Sequence, residues 1–119
     1  PVSAPFHSRL MESAAEKLAA ELDKVTIKDA AFPIAANVDG KLERDAATIK
    51  RNLIEQTAHP VKWIACVETM RDFGVNTFVE VGPGKTLCGF NRRIDRNLSS
   101  CNVENIESLN QTLEQLKNL

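Results

Sequence analysis

Few residues in this chain have the means to do chemistry: His7 and His59, the thiols Cys66, Cys88 and Cys101, and the run Val81-Gly82-Pro83-Gly84-Lys85-Thr86. The run places Gly-Lys-Thr between a strand pattern and a helix pattern, as a phosphate-binding loop does. Its spacing fails. A loop that wraps phosphates needs a glycine five residues before the second one, and Val79 stands there, inside the strand pattern. Pro83 also removes one of the backbone N–H groups that would cradle an anion. The run therefore reads as a tight turn into a helix.

His7 lies in Ala4-Pro5-Phe6-His7-Ser8, just before a helix pattern, and His59 lies in the break before Pro60. Either fits a solvated loop residue; a helix-entry imidazole also fits a general base at the edge of a cleft. The three cysteines are odd in number, widely spaced and without a C-x-x-C pair, so they suggest reduced thiols and no zinc or redox site. Cys88 falls in the first turn of a helix pattern, where the dipole lowers a thiol pKa. The neighbouring Leu87 and Phe90 favour burial for it instead. Arg92, Arg93, Asp95 and Arg96 form a mixed-charge helix end that could meet an acidic partner.

The elements that must position these groups follow from periodicity. Leu10, Ala14, Leu18 and Leu22 recur every four residues and predict a helix over 8–22. The apolar run 32–38, followed by Asp39-Gly40, predicts a strand covered on both faces and then a turn. A second helix opens at the N-cap Asp45, carries Ile49, Leu53 and Ile54 inward, and stops before His59-Pro60. A third begins with Pro60 in its first turn and ends at Gly74. Residues 77–81 are β-branched and aromatic and predict a strand, 85–94 a fourth helix, and 101–103 a last strand. A final helix starts near Ser108, with Gln111 completing a capping box and Leu109, Leu113 and Leu116 inward. Short strands alternating with helices describe an α/β protein with a largely parallel sheet. Three strands are few for that class, which suggests missing chain.

With 119 residues, 43% of them apolar, and 15 basic against 16 acidic side chains, the chain has room for one core, and 1–119 reads as a single unit. The charge balance and the five Phe, one Trp and no Tyr exclude the basic, aromatic surface of a nucleic-acid binder. No apolar run reaches the ~20 residues of a membrane span, and Pro1-Val2-Ser3-Ala4-Pro5 is unlike a signal peptide. A cytoplasmic protein is expected, with no membrane partner.

Pro1 to Met11, Pro-Val-Ser-Ala-Pro-Phe-His-Ser-Arg-Leu-Met, closely resembles the bacterial malonyl-CoA:acyl carrier protein transacylase family. Asn37-Val38-Asp39, Gln56 ahead of Pro60-Val61-Lys62-Trp63, and Val79-Glu80-Val81-Gly82-Pro83-Gly84-Lys85 occur in that family in this order and at about these separations. The resemblance covers essentially the whole chain. It implies the C-terminal portion of an α/β-hydrolase-like acyltransferase domain, part of its large subdomain.

The activity implied is a ping-pong transfer of malonyl from malonyl-CoA to the phosphopantetheine thiol of acyl carrier protein, in fatty acid synthesis, through a serine ester. His7 matches the general base. Gln56 matches the residue whose main-chain carbonyl orients that imidazole in place of a triad carboxylate, so a change of its side chain alone matters little. Phe6 matches the position that discriminates extender units; an aromatic there crowds a branched methylmalonyl group. CoA is a substrate, and neither cofactor nor metal is implied. Acyl carrier protein is acidic, which makes Lys85, Arg92 and Arg93 candidates for its docking.

The sequence departs from the family in lacking a Gly-x-Ser-x-Gly nucleophile elbow. Ser3, Ser8, Ser13, Ser99, Ser100 and Ser108 are not flanked as one. The resemblance implies that the nucleophile, the malonyl-binding arginine and the oxyanion-hole segment lie upstream, on the other half of the same enzyme. This chain alone is expected to be inactive, and a non-catalytic structural or binding fragment of the fold is the alternative.

Overall fold

A computed structural model describes residues 6–119; the first five residues of the Pro1 to Met11 segment lie outside the described residues. Contacts group the chain into two compact units, Pro1–Met70 and Arg71–Leu119.

In the first unit a 3-10 turn, Arg9–Met11, leads into α1, Glu12–Leu22. Two short strands, β1 (Ile34–Ala35) and β2 (Leu42–Glu43), precede α2 (Ala46–Glu55), and a 3-10 turn, Gln56–Ala58, extends α2 by three residues. Asp45 caps α2 as its residue type predicts, accepting the Thr48 N–H at 2.9 Å. That N–H and the Thr48 hydroxyl hold the Asp45 carboxyl below its ordinary pKa. α1 packs against α2 and against the Gln56–Ala58 turn, and the Arg9–Met11 turn packs on that same turn.

The strand expected over 32–38 is reduced to two residues and is not covered on both faces: Phe32 is 72% exposed and Ile34 is also exposed. It pairs antiparallel with β2, Ile34 opposite Glu43 and Ala35 opposite Leu42, instead of entering a larger parallel sheet. The cause is local. Gly40 adopts φ +70°, Asp39 Oδ1 accepts the Lys41 N–H at 2.9 Å, and the chain turns straight back on itself. The return strand lies in Lys41-Leu42-Glu43-Arg44, whose single apolar residue gives no strand pattern.

α3 (Trp63–Phe73) starts three residues after Pro60, not at it. The Lys62 N–H is held by the Asn37 carbonyl at 2.8 Å, and the first helical bond runs from Cys66 N–H to Lys62 O. The predicted stop holds, with Gly74 at φ +117°. Ala58, Cys66 and Val67 form the buried apolar core of this unit.

The second unit holds β3 (Thr77–Val81), α4 (Thr86–Ile94), β4 (Ser99–Val103) and α5 (Ile106–Lys117). β3 and β4 are parallel, in register from Thr77 opposite Ser99 to Val81 opposite Val103. Both α4 and α5 pack on β4, and Cys101 is the buried apolar residue at its centre. In place of the expected largely parallel sheet of three strands, the described residues form two two-stranded sheets, of which one is parallel.

α5 opens one turn earlier than its pattern suggests. Asn105 is the N-cap: its Oδ1 accepts the Ser108 N–H at 2.8 Å and its own N–H donates to Ser108 Oγ at 3.0 Å, so the capping box is Asn105/Ser108. Ser108 and Thr112 are buried, whereas Leu109, Leu113 and Leu116 remain exposed. No helix among the described residues is long and apolar enough to cross a membrane.

Candidate active site

The end of α2 explains where an acceptor is left over. An α-helical carbonyl normally takes the N–H four residues on. For Gln56 that residue is Pro60, which has no N–H. His59 is already extended at φ −125°, ψ 154°, so helical pairing has stopped. The last carbonyls of the helix must therefore find other donors.

Both histidines supply them. His59 Nδ1–H donates to the Glu55 carbonyl at 2.6 Å, one turn back in its own chain. His7 Nδ1–H donates to the Gln56 carbonyl at 2.7 Å, across 49 residues. A carbonyl oxygen can only accept, so this pairing puts the proton on Nδ1 and leaves a lone pair on Nε2 in the neutral ring. Packing of the Arg9–Met11 turn on the Gln56–Ala58 turn brings the two residues together. His7 itself sits at φ +58°, the single non-glycine residue with a left-handed backbone among the described residues. Histidine tolerates that region better than most side chains, but a left-handed backbone still costs about 1 kcal/mol or more. Such strain gathers at working sites.

Gln56 is also engaged through its side chain. Asn37 Nδ2–H donates to Gln56 Oε1 at 3.4 Å, a long bond, while the Asn37 carbonyl accepts the Lys62 N–H. Asn37, Asn52 and Gln56, with Ile34, Ala36 and Ile49, line a cavity of about 310 Å³. Neither His7 nor Phe6 lines it. Phe6 precedes the imidazole in the same turn and is 58% exposed. Sequence reading met Asn37 only as part of a three-residue motif; an amide closing an otherwise apolar strand was the signal available.

The Gly82-Pro83-Gly84-Lys85 turn is built differently. In the turn the Gly82 N–H goes to the Val103 carbonyl at 3.0 Å and the Gly84 N–H to Glu104 Oε2 at 2.6 Å, and in the first turn of α4 Glu80 accepts the Cys88 N–H at 3.0 Å and the Leu87 N–H at 3.4 Å. Burial pushes the Glu80 carboxyl up, but the Cys88 N–H and thiol and the Leu87 N–H outweigh it, and the net shift is downward. The start of α4 thus already holds a carboxylate where a phosphate-binding loop would hold its anion. The Cys88 thiol is pushed up, first by burial and then by Glu80, which is opposite to the activation a helix N-terminus would give. Burial likewise raises Cys66. All three thiols are free.

Among the described residues no group of three His, Cys, Asp or Glu side chains could hold a metal ion. Ser8 lies in the first turn, Ser13 in α1, Ser99 and Ser100 in β4 and Ser108 in α5, none on a glycine-flanked strand-to-helix elbow. Ser3 lies outside the described residues.

No family model matches the chain. Individual proteins do. The malonyl-CoA:acyl carrier protein transacylase of Bacillus subtilis is 41% identical over 116 residues, 98% of this chain and 37% of the relative. A crystal structure of the transacylase from Clostridium perfringens superposes with a TM-score of 0.90 at 42% identity, over 99% of this chain and 37% of that one. A malonyl-transacylase solved in complex with a type II polyketide synthase acyl-carrier protein gives a TM-score of 0.86 at 39% identity, over 96% of this chain and 37% of that one. The chain spans little more than a third of the relatives it matches, and over that stretch it is homologous to the malonyl-CoA:acyl carrier protein transacylases.

Proposed function

We propose that this chain is the base-bearing, C-terminal part of the large subdomain of a malonyl-CoA:acyl carrier protein S-malonyltransferase, working in the cytoplasm in fatty acid synthesis. The observation that carries this is the His7 Nδ1–H bond to the Gln56 carbonyl, which leaves Nε2 unprotonated at an exposed ring. The homology to malonyl-CoA:acyl carrier protein transacylases supports malonyl transfer as the reaction.

In the first half, His7 Nε2 takes the hydroxyl proton of a serine carried by the upstream part of the enzyme. The serine oxygen attacks the malonyl thioester carbon, the carbon–sulfur bond breaks, and the imidazolium returns its proton to the departing CoA thiolate. In the second half, Nε2 takes the proton of the phosphopantetheine thiol, the sulfur attacks the malonyl ester, and the serine oxygen leaves with the proton from His7. The Gln56 carbonyl keeps Nδ1 protonated through both halves and stabilises the imidazolium, the part a carboxylate plays in a triad. Phe6 narrows the acyl site against branched extender units, an effect of ~1–3 kcal/mol per extra methyl. Lys85 at the start of α4 and Arg92 and Arg93 in its last turn are exposed and present positive charge to an acidic carrier protein.

The test is His7→Ala in the complete enzyme. Malonyl transfer to holo acyl carrier protein should fall by a factor of about 10²–10⁴ with the circular dichroism spectrum unchanged. Transfer at the parent rate would remove His7 from the mechanism and leave the chain a structural segment of the fold.

A further inference from the structure

The carbonyl that holds His7 belongs to a short segment with one residue at both its ends. Between Gln56 and Lys62 the chain leaves a helix, makes a 3-10 turn, extends through His59-Pro60 and enters the next helix. Such a stretch has few bonds of its own, because Pro60 lacks a donor and the helical ladder has stopped. Asn37 grips it twice. Its side-chain Nδ2–H donates to Gln56 Oε1 at 3.4 Å at the start, and its main-chain carbonyl accepts the Lys62 N–H at 2.8 Å at the end.

Asn37 is itself well anchored. It follows β1 at the mouth of a turn in which Gly40 N–H donates to the Ala36 carbonyl at 2.8 Å and Ala36 N–H to the Lys41 carbonyl at 3.1 Å. The Cys66 thiol donates to the same Ala36 carbonyl at 3.3 Å, tying this turn to the buried core beneath α3. The order of support therefore runs from the core to the β1–β2 turn, to Asn37, to Gln56 and to His7. The partly buried amide pair also lines the cavity of about 310 Å³, together with the Asn52 amide and the Glu43 carboxylate.

We infer that Asn37 is a positioning residue for the transfer reaction: its side-chain amide fixes the rotation of Gln56 and through it the carbonyl that aligns His7. This rests on the reading of His7 as the general base. It gives the Gln56 side chain a function beside that of its carbonyl, and it makes the two amides one unit whose removal from either side has the same consequence.

The test is a double-substitution cycle in the complete enzyme, with His7→Ala as the reference. Asn37→Ala should lower kcat about tenfold through misalignment of the base, with KM for malonyl-CoA within about twofold of the parent. Gln56→Ala should do the same, and the double variant should be no worse than either single one. Asn37→Asp should retain most of the rate, because the Gln56 amide can rotate to donate to the new carboxylate. The ¹⁵N shifts of the neutral His7 ring should show a loss of the Nδ1–H tautomer in both alanine variants and its retention in Asn37→Asp.

Parent-like kcat in Asn37→Ala alongside a dead His7→Ala overturns the inference and leaves the proposed function standing. Losses that multiply in the double variant overturn it too, since Asn37 would then act on something other than Gln56. An active His7→Ala removes the proposed function and the inference with it. Should Asn37→Ala fail to fold, Gln56→Ala breaks the same bond from the other side and decides the matter through the His7 tautomer.

Discussion

The His7 turn and the Gly82-Pro83-Gly84-Lys85 turn each sit at the entry to a helix, and they differ in how far their polar groups are satisfied. Around α4 the polar groups close on one another: two carboxylates, Glu80 and Glu104, take the N–H groups of Gly84, Leu87 and Cys88. Around His7 one ring nitrogen is bound and the other is not, and the backbone carries the strain of φ +58° to keep it so. The turn with the more familiar motif is thus the one whose N–H groups at Gly84, Leu87 and Cys88 are already taken. Residue types that attract attention in a sequence can be consumed by the fold, and chemistry stays with groups whose bonding capacity is half used.

The sharpest way to break that contrast uses the two histidines, since both donate Nδ1–H to a carbonyl near the end of α2. Hydrogen-bond geometry alone does not separate them. His7→Ala should cost a factor of about 10²–10⁴ in malonyl transfer by the complete enzyme, whereas His59→Ala should stay within about threefold. Equal losses would show that the bond to an orphan carbonyl is a helix-end device in both places.

Stability comes next in size. Gly40 lies at φ +70°, and a Cβ there would stand 2.6 Å from Ala65 Cβ on α3. Gly40→Ala should destabilise the fold by about 2–5 kcal/mol, the sum of left-handed strain and overpacking. Because the same turn carries Asn37, the His7 tautomer should degrade in that variant even where it remains folded. By contrast Gly84→Ala, at φ +84° with nothing within 4 Å of the added carbon, should cost only the strain, about 1–2 kcal/mol. Urea unfolding of the two variants side by side separates the terms; equal costs would mean that α3 yields to the methyl group.

What the sequence made legible was set by how local each signal is. The Asp45 cap, the Gly74 stop and the strand Thr77–Val81 depend on residues within a few positions of one another, and the structure has them as read. β2 was missed because Lys41-Leu42-Glu43-Arg44 pairs through its backbone across a turn and has no apolar periodicity to show. The inward placement of Leu109, Leu113 and Leu116 fails for another reason. Amphipathic spacing says which side chains share a face, not that something in this chain covers it, and here that face is left exposed while the Thr112 hydroxyl donates to the Asn102 carbonyl at 2.9 Å. His7 and Gln56 came from family resemblance, being 49 residues apart. Yet the orphaned Gln56 carbonyl was implicit in the sequence, in a proline four residues downstream.

The smallest expected effect probes the closed turn by its pH dependence. Glu80 has a folded-state pKa below its ordinary value of 4.5, so the carboxylate form stabilises the fold. By linkage that contribution is complete above about pH 4.5 and is lost as pH falls through the lowered folded value. Replacing the side chain removes the acceptor for Leu87 and Cys88, so Glu80→Ala should cost about 1 kcal/mol at pH 7, the size of a lost helix cap. Glu80→Gln keeps an oxygen acceptor but not the charge, and its smaller deficit at pH 7 should shrink towards zero in acid, where the parent residue is also neutral. A deficit for Glu80→Gln that is the same at neutral and acid pH would mean that the carboxylate charge does not hold the start of α4. The Leu87 and Cys88 donors would then be open to an external anion, and the turn would have to be tested with inorganic phosphate as a binding site.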